Sequence, residues 1–322
     1  MVKNKKISIV MLNYNGLHYL KKTIPAILNL KYQNYELIVV DNASVDGSIQ
    51  FLETFGSSII IVKNTENFGY SLGKNIGASL ASGDYIFLLD NDILITEDSL
   101  LECLLLELSQ IGEKNMISVV MLNDGEKVTK YYSYCYGIFG PIYNSNVDIL
   151  KITPGVYPSG APMGGNIFLT KETWNSIGGF DVTQPYYLDD FDFGARGYIF
   201  GFKSFVTSKH ILTHLGVDQS TSKDKWLWKY KYFFSGYSMV IFKNYTTLNI
   251  LLRYPLFLLF SILKTIKYSL KFFSVEPILS FAWSILFFVK KLPDIYKERK
   301  KIQSKRIEIY DLFFKITPPK FK

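Results

Sequence analysis

Residues 85–92 read YIFLLDND, five apolar residues running straight into two carboxylates separated by one asparagine. A continuous apolar run of this kind reads as a strand covered on both faces. Asp90 and Asp92 then stand at its carboxyl end, where like charges repel unless a cation lies between them. Hard carboxylate oxygens suit Mg²⁺ or Mn²⁺, ions that bridge diphosphates. A bare Asp-x-Asp is common in turns, and it is the buried strand before it that points to a metal.

Similar apolar runs recur on both sides, at residues 7–12 (ISIVML), 36–40 (ELIVV), 58–62 (SIIIV) and 116–122. Helical spacing fills the intervals at residues 17–30, interrupted by Pro25, at 48–55, and at 70–81, which Ser82-Gly83 closes. Thr96 is expected to cap a further helix over residues 97–108, with Glu97 and Asp98 in its first turn. This alternation predicts an α/β fold, a mostly parallel sheet flanked by helices, with ligands bound beyond the carboxyl ends of the strands. The loops at those ends are Asn13-Tyr14-Asn15-Gly16, residues 41–47 (DNASVDG), Asn64 with Asn67-Phe68-Gly69, and Asp90-Asn91-Asp92. One such loop is ordinary turn chemistry. Together they make a polar site suited to a nucleotide. No GxGxxG or GxxxxGK[ST] occurs, so neither dinucleotide nor Walker-type phosphate binding is expected.

The 322 residues suit about two domains at ~150 residues each. With 48% apolar and 20% charged residues the chain is not a disordered one, and two cysteines exclude a disulfide scaffold. The opening residues lack a signal-peptide pattern, so none is expected. The charge is divided. Residues 1–222 hold 16 Lys and Arg against 22 Asp and Glu, a balance of −6, whereas residues 223–322 hold 20 against 6, a balance of +14. A basic tail expects an anionic surface. Its apolar runs, residues 254–263 and 277–289, are bounded by Lys264, Lys267, Lys271, Lys290 and Lys291. Both fall short of the roughly 20 residues that span a bilayer. Helices lying in a membrane interface fit this pattern. Nucleic acid does not, since the tail's arginines are Arg253, Arg299 and Arg306 alone.

The segments SIVMLNYNG, ELIVVDNASVDGS, NFGYSLGKNIGA and YIFLLDNDI, in this order, resemble family 2 glycosyltransferases of the GT-A fold, above all the rhamnosyltransferase-like and galactofuranosyltransferase-like branches. A later block, from Gly164-Gly165-Asn166 through Gly178-Gly179-Phe180-Asp181 to Leu188-Asp189-Asp190-Phe191-Asp192, is similar too. The resemblance spans residues 5–216. It implies metal-dependent, inverting transfer of a sugar from a nucleotide-diphosphate-sugar to an acceptor hydroxyl. It places the donor among Asn13, Asn15, Asp41, Asn67, Gly69, Asp90 and Asn91. Asp90, Asp92 and His214 would hold the metal, the imidazole favouring Mn²⁺ over Mg²⁺. In the second acid cluster it implies Asp190 as the base, with Asp189 binding the acceptor or positioning that base; Asp192 is expected to anchor the helix start or bind a cation.

His210 and His214 have the i, i+4 spacing of a zinc pair, but no glutamate follows His210 and no cysteine is near in sequence, so no zinc site is expected there and His18 and His210 are read as structural. Trp174 and Trp226 are candidates for sugar stacking, with core packing favoured for Trp174, and Tyr186 and Tyr187 for acceptor-side walls. Two features depart from the family: Arg196-Gly197 replaces its Arg-x-x-x-Gly, and residues 123–162 carry no readable motif beyond an expected strand or flap at Tyr131-Tyr132-Ser133-Tyr134. The expected organisation is a GT-A domain over residues 1–222 and a basic, membrane-associating helical region over 223–322. The enzyme is expected to be cytoplasmic, peripheral on the cytoplasmic membrane face, acting on a glycan or lipid-linked acceptor. A sugar-phosphate nucleotidyltransferase and a non-catalytic nucleotide-sugar-binding protein are the alternatives.

Overall fold

The apolar run at residues 7–12 forms the central strand β1 (Ile7–Asn13), with β2 (Tyr35–Asp41) and β4 (Tyr85–Asp90) parallel to it on either side and β3 (Ile60–Lys63) parallel beyond β2. The computed structural model describes residues 5–125, 128–129, 133–137, 140–144, 147–148, 153–184, 188–216 and 223–309. Alternate residues of the strands serve opposite faces. Ile9, Met11, Val39, Phe87 and Leu89 pack under helices α1 (Leu17–Leu28) and α4 (Leu100–Ile111). Val10, Ile38, Val40, Ile86 and Leu88 form the other core. That core takes Ala78 from α3 (Gly69–Leu80), Trp174 and Ile177 from α5 (Lys171–Ile177), and Phe193 from α6 (Asp189–Ile199). Trp174 is thus a core residue. The short α2 (Ser48–Glu53) completes the flanking helices of the first half.

Beyond β4 the parallel order is broken by β12 (Asn166–Thr170), which runs antiparallel to both β4 and β6 (Met116–Asn123). β13 (Ser204–His214) is parallel to β6, while β11 (Val156–Ser159) and the two-residue β5 (Ile93–Leu94) pair with it antiparallel, giving nine strands in one sheet. In the motif-poor stretch, β7 (Val128–Thr129) pairs with β10 (Val147–Asp148), and β8 (Ser133–Gly137) with β9 (Gly140–Asn144). Tyr131 and Tyr132 lie outside the described residues.

The helix expected over residues 97–108 starts at Leu100, with Ser99 rather than Thr96 before it. The reason is tertiary. Ile93 and Leu94 are held by β13, and the Glu97 side chain is engaged by His210 Nδ1 at 2.7 Å.

The tail forms α7 (Lys223–Asn244), α8 (Thr247–Phe272) and α9 (Glu276–Ser304). Phe234, Tyr237, Val240 and Ile241 of α7 share a core with Val120, Met163, Leu188 and Phe191, so the hydrophobic interior runs continuously across residue 222. The end of α9 ties off α7. Arg299 Nη1 donates to the Phe242 and Tyr245 carbonyls (2.8 and 2.6 Å), and Gln303 Nε2 to those of Lys243 and Asn244 (3.0 and 3.2 Å). Trp226 stacks on Tyr230 and packs at a tilt against Tyr268, between α7 and α8.

Residues 254–263 prove to be the middle of a 26-residue helix, and α8 is long and apolar enough by length and composition to cross a membrane. This overturns the expectation of insufficient length, because the helix continues through the residues flanking the run. Leu252, Leu256, Leu259, Leu263, Ile266 and Leu270 form an exposed stripe along it at alternating steps of four and three.

Candidate functional site

Register brings the strand ends level, setting Asn13 beside Asp41 and Leu12 beside Asp90. The polar side chains there satisfy one another. Asn13 Nδ2 donates to Asp41 Oδ2 (2.8 Å) and Ser44 Oγ (3.1 Å), and Asn13 Oδ1 accepts from Asn91 Nδ2 (2.6 Å). The Ser44 amide donates to Asp41 Oδ1 and the Asn15 amide to Ser44 Oγ, both at 2.8 Å. Asn15 Oδ1 accepts from the Val45 amide at 2.9 Å. Asn42 Nδ2 donates to Asn67 Oδ1 and the Gly69 carbonyl, both at 3.1 Å, and Asn67 Oδ1 also accepts from the Gly69 amide at 2.9 Å. The loops after β1, β2, β3 and β4 are therefore one hydrogen-bonded net. Asn13 and Asp41 are buried and form its floor.

Helix α3 supplies the counter-charge. A Cβ on Gly73 or Gly77 would sit 2.4 Å from Leu12 or Val10, so these glycines let the helix lie close on β1. Lys74, between them, is wholly buried. Its Nζ donates to the Leu89 carbonyl (2.7 Å) and ion-pairs with Asp90 Oδ1 at 2.9 Å. Burial pushes the Asp90 carboxyl up, Lys74 opposes this, and the charge of Asp92 adds to it. Asp92 turns the other way, to His214 Nε2 at 3.1 Å. The β5–β13 pairing delivers that contact, setting His214 opposite Ile93. His210 turns to Glu97 and His214 to Asp92, so the two imidazoles serve different acids.

Strand β12 begins where β4 ends, and this joins the two acid clusters. The Asp90 amide donates to the Gly165 carbonyl (2.9 Å), and the Gly164 amide to Asp190 Oδ2 (3.3 Å). The buried Tyr70 hydroxyl donates to the Gly164 carbonyl, and its pKa is raised by burial and by the charges of Asp90, Asp189, Asp190 and Asp92 around it. Asp189 Oδ1 accepts from Ser71 Oγ at 3.1 Å. Burial, then the charge of Asp190, push the Asp189 carboxyl up to about 8, well above the ordinary carboxylate range. A cavity of about 210 Å³ beside it is lined by Asn67, Gly69, Ser71, Gln184 and Asp189.

Asp192 faces inward and is fully buried. Arg196 Nε and Lys243 Nζ approach its two oxygens at 2.8 Å each, and Asn244 Nδ2 donates at 3.0 Å. Lys243, also fully buried, reaches Asp181 Oδ2 at 2.5 Å. Burial alone would lower the Lys243 pKa; Asp192 and Asp181 outweigh it and hold it raised. Burial likewise opposes ionisation of Asp192 and Asp181, and the lysine overcomes it in both. Arg196-Gly197 sits within a continuous α6.

The donor, metal and acid candidates therefore gather at one edge of the sheet, whereas Trp174 and Trp226 lie away from it; Tyr186 and Tyr187 lie outside the described residues. Lys74, Ser71 and Lys243 carry no signal of their own in the sequence, because each acts on a carboxylate distant in the chain, and Tyr70 acts on the distant Gly164 carbonyl. As a cation site, Asp92 and His214 already meet, and Asp90 keeps Oδ2 turned toward Gly165 while Oδ1 faces Lys74. A Cβ on Gly216 would stand 2.0 Å from Asp92 Oδ2, so the backbone leaves that carboxylate its room. Carboxylate oxygens with an imidazole fit Mn²⁺ well.

The profile described as Glycosyl transferase family 2 matches residues 8–170. The chain is 32% identical over 136 residues to Glycosyltransferase GlyG of Streptococcus pneumoniae, covering 41% of this chain and 44% of that one. It is 31% identical over 101 residues to the poly(ribitol-phosphate) beta-N-acetylglucosaminyltransferase TarP of Staphylococcus aureus, covering 30% and 31%. The chain thus spans less than half the length of these curated relatives. The solved mannosyltransferase PcManGT from Pyrobaculum calidifontis, in complex with GDP-Man and Mn²⁺, superposes with a TM-score of 0.59 at 13% identity, covering 94% of this chain and 84% of that one. At that identity the likeness is one of fold, and the fold is GT-A.

Lys243→Met strands two buried carboxylates and is expected to cost about 3–5 kcal/mol of stability, with Lys243→Arg less harmful. Asp181 and Asp192 are held below the ordinary carboxylate pKa, so the stability they add is complete above about pH 4 and is lost as pH falls further. Denaturant melts at pH 7 and pH 3 check this: acid should cost the wild type more than the Met variant.

Proposed function

The chain belongs to glycosyl transferase family 2, and on that premise we propose that it moves a hexosyl or deoxyhexosyl group from a nucleotide-diphosphate-sugar to an acceptor hydroxyl, inverting the anomeric carbon. The observation that carries this reading is the meeting of two acid clusters across Gly164-Gly165, one suited to a cation and the other to a proton. The net of Asn13, Asn15, Asp41, Asn67, Gly69 and Asn91 frames the donor nucleotide. Asp90, Asp92 and His214 would hold Mn²⁺ or Mg²⁺. A divalent ion bound there supplies positive charge against the departing diphosphate.

Asp190 accepts the proton of the acceptor hydroxyl as that oxygen bonds to the anomeric carbon. The bond from that carbon to the diphosphate oxygen breaks on the opposite face, and the electron pair leaves with the nucleoside diphosphate. Asp189, protonated, donates a hydrogen bond to the acceptor or steadies the base. The rhamnosyl- or galactofuranosyl-type donor class rests on the motif resemblance alone, and a binding screen of UDP-, GDP- and dTDP-sugars separates the possibilities.

The exposed apolar stripe of α8, with the exposed Lys267 and Lys271 on the same helix, supports docking on an anionic membrane surface, and with it a lipid-linked or other membrane-proximal glycan as acceptor, reached from the cytoplasmic side. In this reading residues 1–222 perform the transfer and 223–322 position the enzyme on the membrane. The relative TarP is named a poly(ribitol-phosphate) beta-N-acetylglucosaminyltransferase, so the acceptor in its name is a polymer.

Asp190→Asn should lower kcat by at least about 10²-fold with donor affinity little changed, while Asp92→Asn should weaken Mn²⁺-dependent donor binding. Asp189→Asn, which imitates the protonated acid, should retain more activity than Asp190→Asn. Equal loss in the two would remove the distinction between them, and absence of even donor hydrolysis with Mn²⁺ in the wild type would favour a sugar-binding protein without catalysis. For the membrane, the full chain should float with vesicles containing phosphatidylglycerol, and the triple variant Leu256→Glu, Leu263→Glu, Leu270→Glu should stay behind. Equal flotation of the two would rule out docking through α8. Point changes are preferable to truncation, because α9 caps the helix that carries Lys243.

A further inference from the structure

Outside the site above, one cluster of soft and borderline ligands stands out. Glu97 precedes α4, Cys103 lies within it, and His210 projects from β13. One ligand atom from each lies within 4.8 Å of the others, and all three residues are half-buried. We propose that Glu97, Cys103 and His210 form a separate structural metal site that takes a zinc ion, with water in the fourth position.

The chemistry of the ligand set argues for zinc. Thiolate, imidazole and carboxylate together suit Zn²⁺, whereas Mg²⁺ and Mn²⁺ prefer oxygen. A ligating imidazole commonly turns its second nitrogen to a carboxylate, which fixes the ring. His210 does this: Nδ1 faces Glu97 Oε2 at 2.7 Å, while Nε2 faces Glu107 Oε1 at 3.6 Å. Glu107 is itself built in. It is buried, Thr207 Oγ1 donates to its Oε1 at 3.2 Å and Lys209 Nζ stands 3.3 Å away, yet its Oε2 has no hydrogen-bond donor among the described residues. The Cys103 sulfur lies 3.9 Å from Glu97 Oε1, and burial, then the charges of Glu97, Glu107 and Glu102, raise the thiol pKa. Without metal, His210 bridges Glu97 and Glu107. With metal, the thiol proton and any imidazole proton leave to solvent, and the Nδ1 lone pair and thiolate bind the ion.

The consequence is mechanical. Zinc would staple the segment following β5 and the first turns of α4 to β13, four residues before His214. This cluster shares no residue with the Asp92–His214 contact, so the two sites are tested separately.

The test uses the full chain, stripped with a chelator and titrated with Co²⁺. A thiolate-to-cobalt charge-transfer absorption should saturate at one equivalent and be displaced by Zn²⁺. It should persist in Asp92→Asn and in Cys135→Ser and vanish in Cys103→Ser. Glu107→Gln should weaken binding about 10- to 100-fold. No charge-transfer absorption in the wild type overturns the proposal, as does a signal that survives Cys103→Ser or disappears with Asp92→Asn. Failure of sugar transfer would leave this result untouched, because the readout is spectroscopic.

Discussion

Carboxylates collected at one edge of a sheet repel each other, and the site exists because two fully buried lysines offset that repulsion. Lys74 stands between the end of β4 and helix α3, and Lys243 between Asp181 and Asp192. Neither lysine would be stable in an apolar interior alone, and neither set of acids would be stable without its lysine. The charges are therefore fixed in position before any ligand arrives. Preorganised charge of this kind costs no rearrangement during reaction.

The second lysine links the parts of the chain. It comes from α7, within the basic third of the sequence, yet it steadies the helix whose first turn carries Asp189 and Asp190. Helix α9 then clamps the end of α7 through Arg299 and Gln303, with Arg306 donating to the Asn244 carbonyl. Phe257 of α8 shares a buried core with α7, Leu188 and Phe191, so α8 is packed through to the helix that carries Asp189 and Asp190.

Much of this was readable from the chain because the strands of the first half are continuous apolar runs that end in polar residues. Burial on both faces produces such runs, and the end of each strand was marked by Asn13, Asp41 or Asp90. The later strands were less legible. β12 is five residues long and gains its place by pairing antiparallel to two neighbours, a property of partners rather than of its own composition. The start of α4 was misjudged because Thr96 has good capping chemistry, whereas β13 and His210 decide where the helix begins. Lys74 looked like one polar residue in a small-residue helix, and Lys243 like one of many basic residues in the tail. The proximity of Cys103 to His210 has no local trace, since 107 positions separate them in the chain.

The most direct measurement is anomalous diffraction from crystals grown with Mn²⁺ and the tightest-binding nucleotide diphosphate. The account predicts a manganese peak coordinated by Asp92 and His214 and touching the diphosphate, with the base over the Asp41 loop and Asp190 across the Gly164-Gly165 step. A diphosphate bound elsewhere, or bound at this edge with no ion at Asp92, would contradict it.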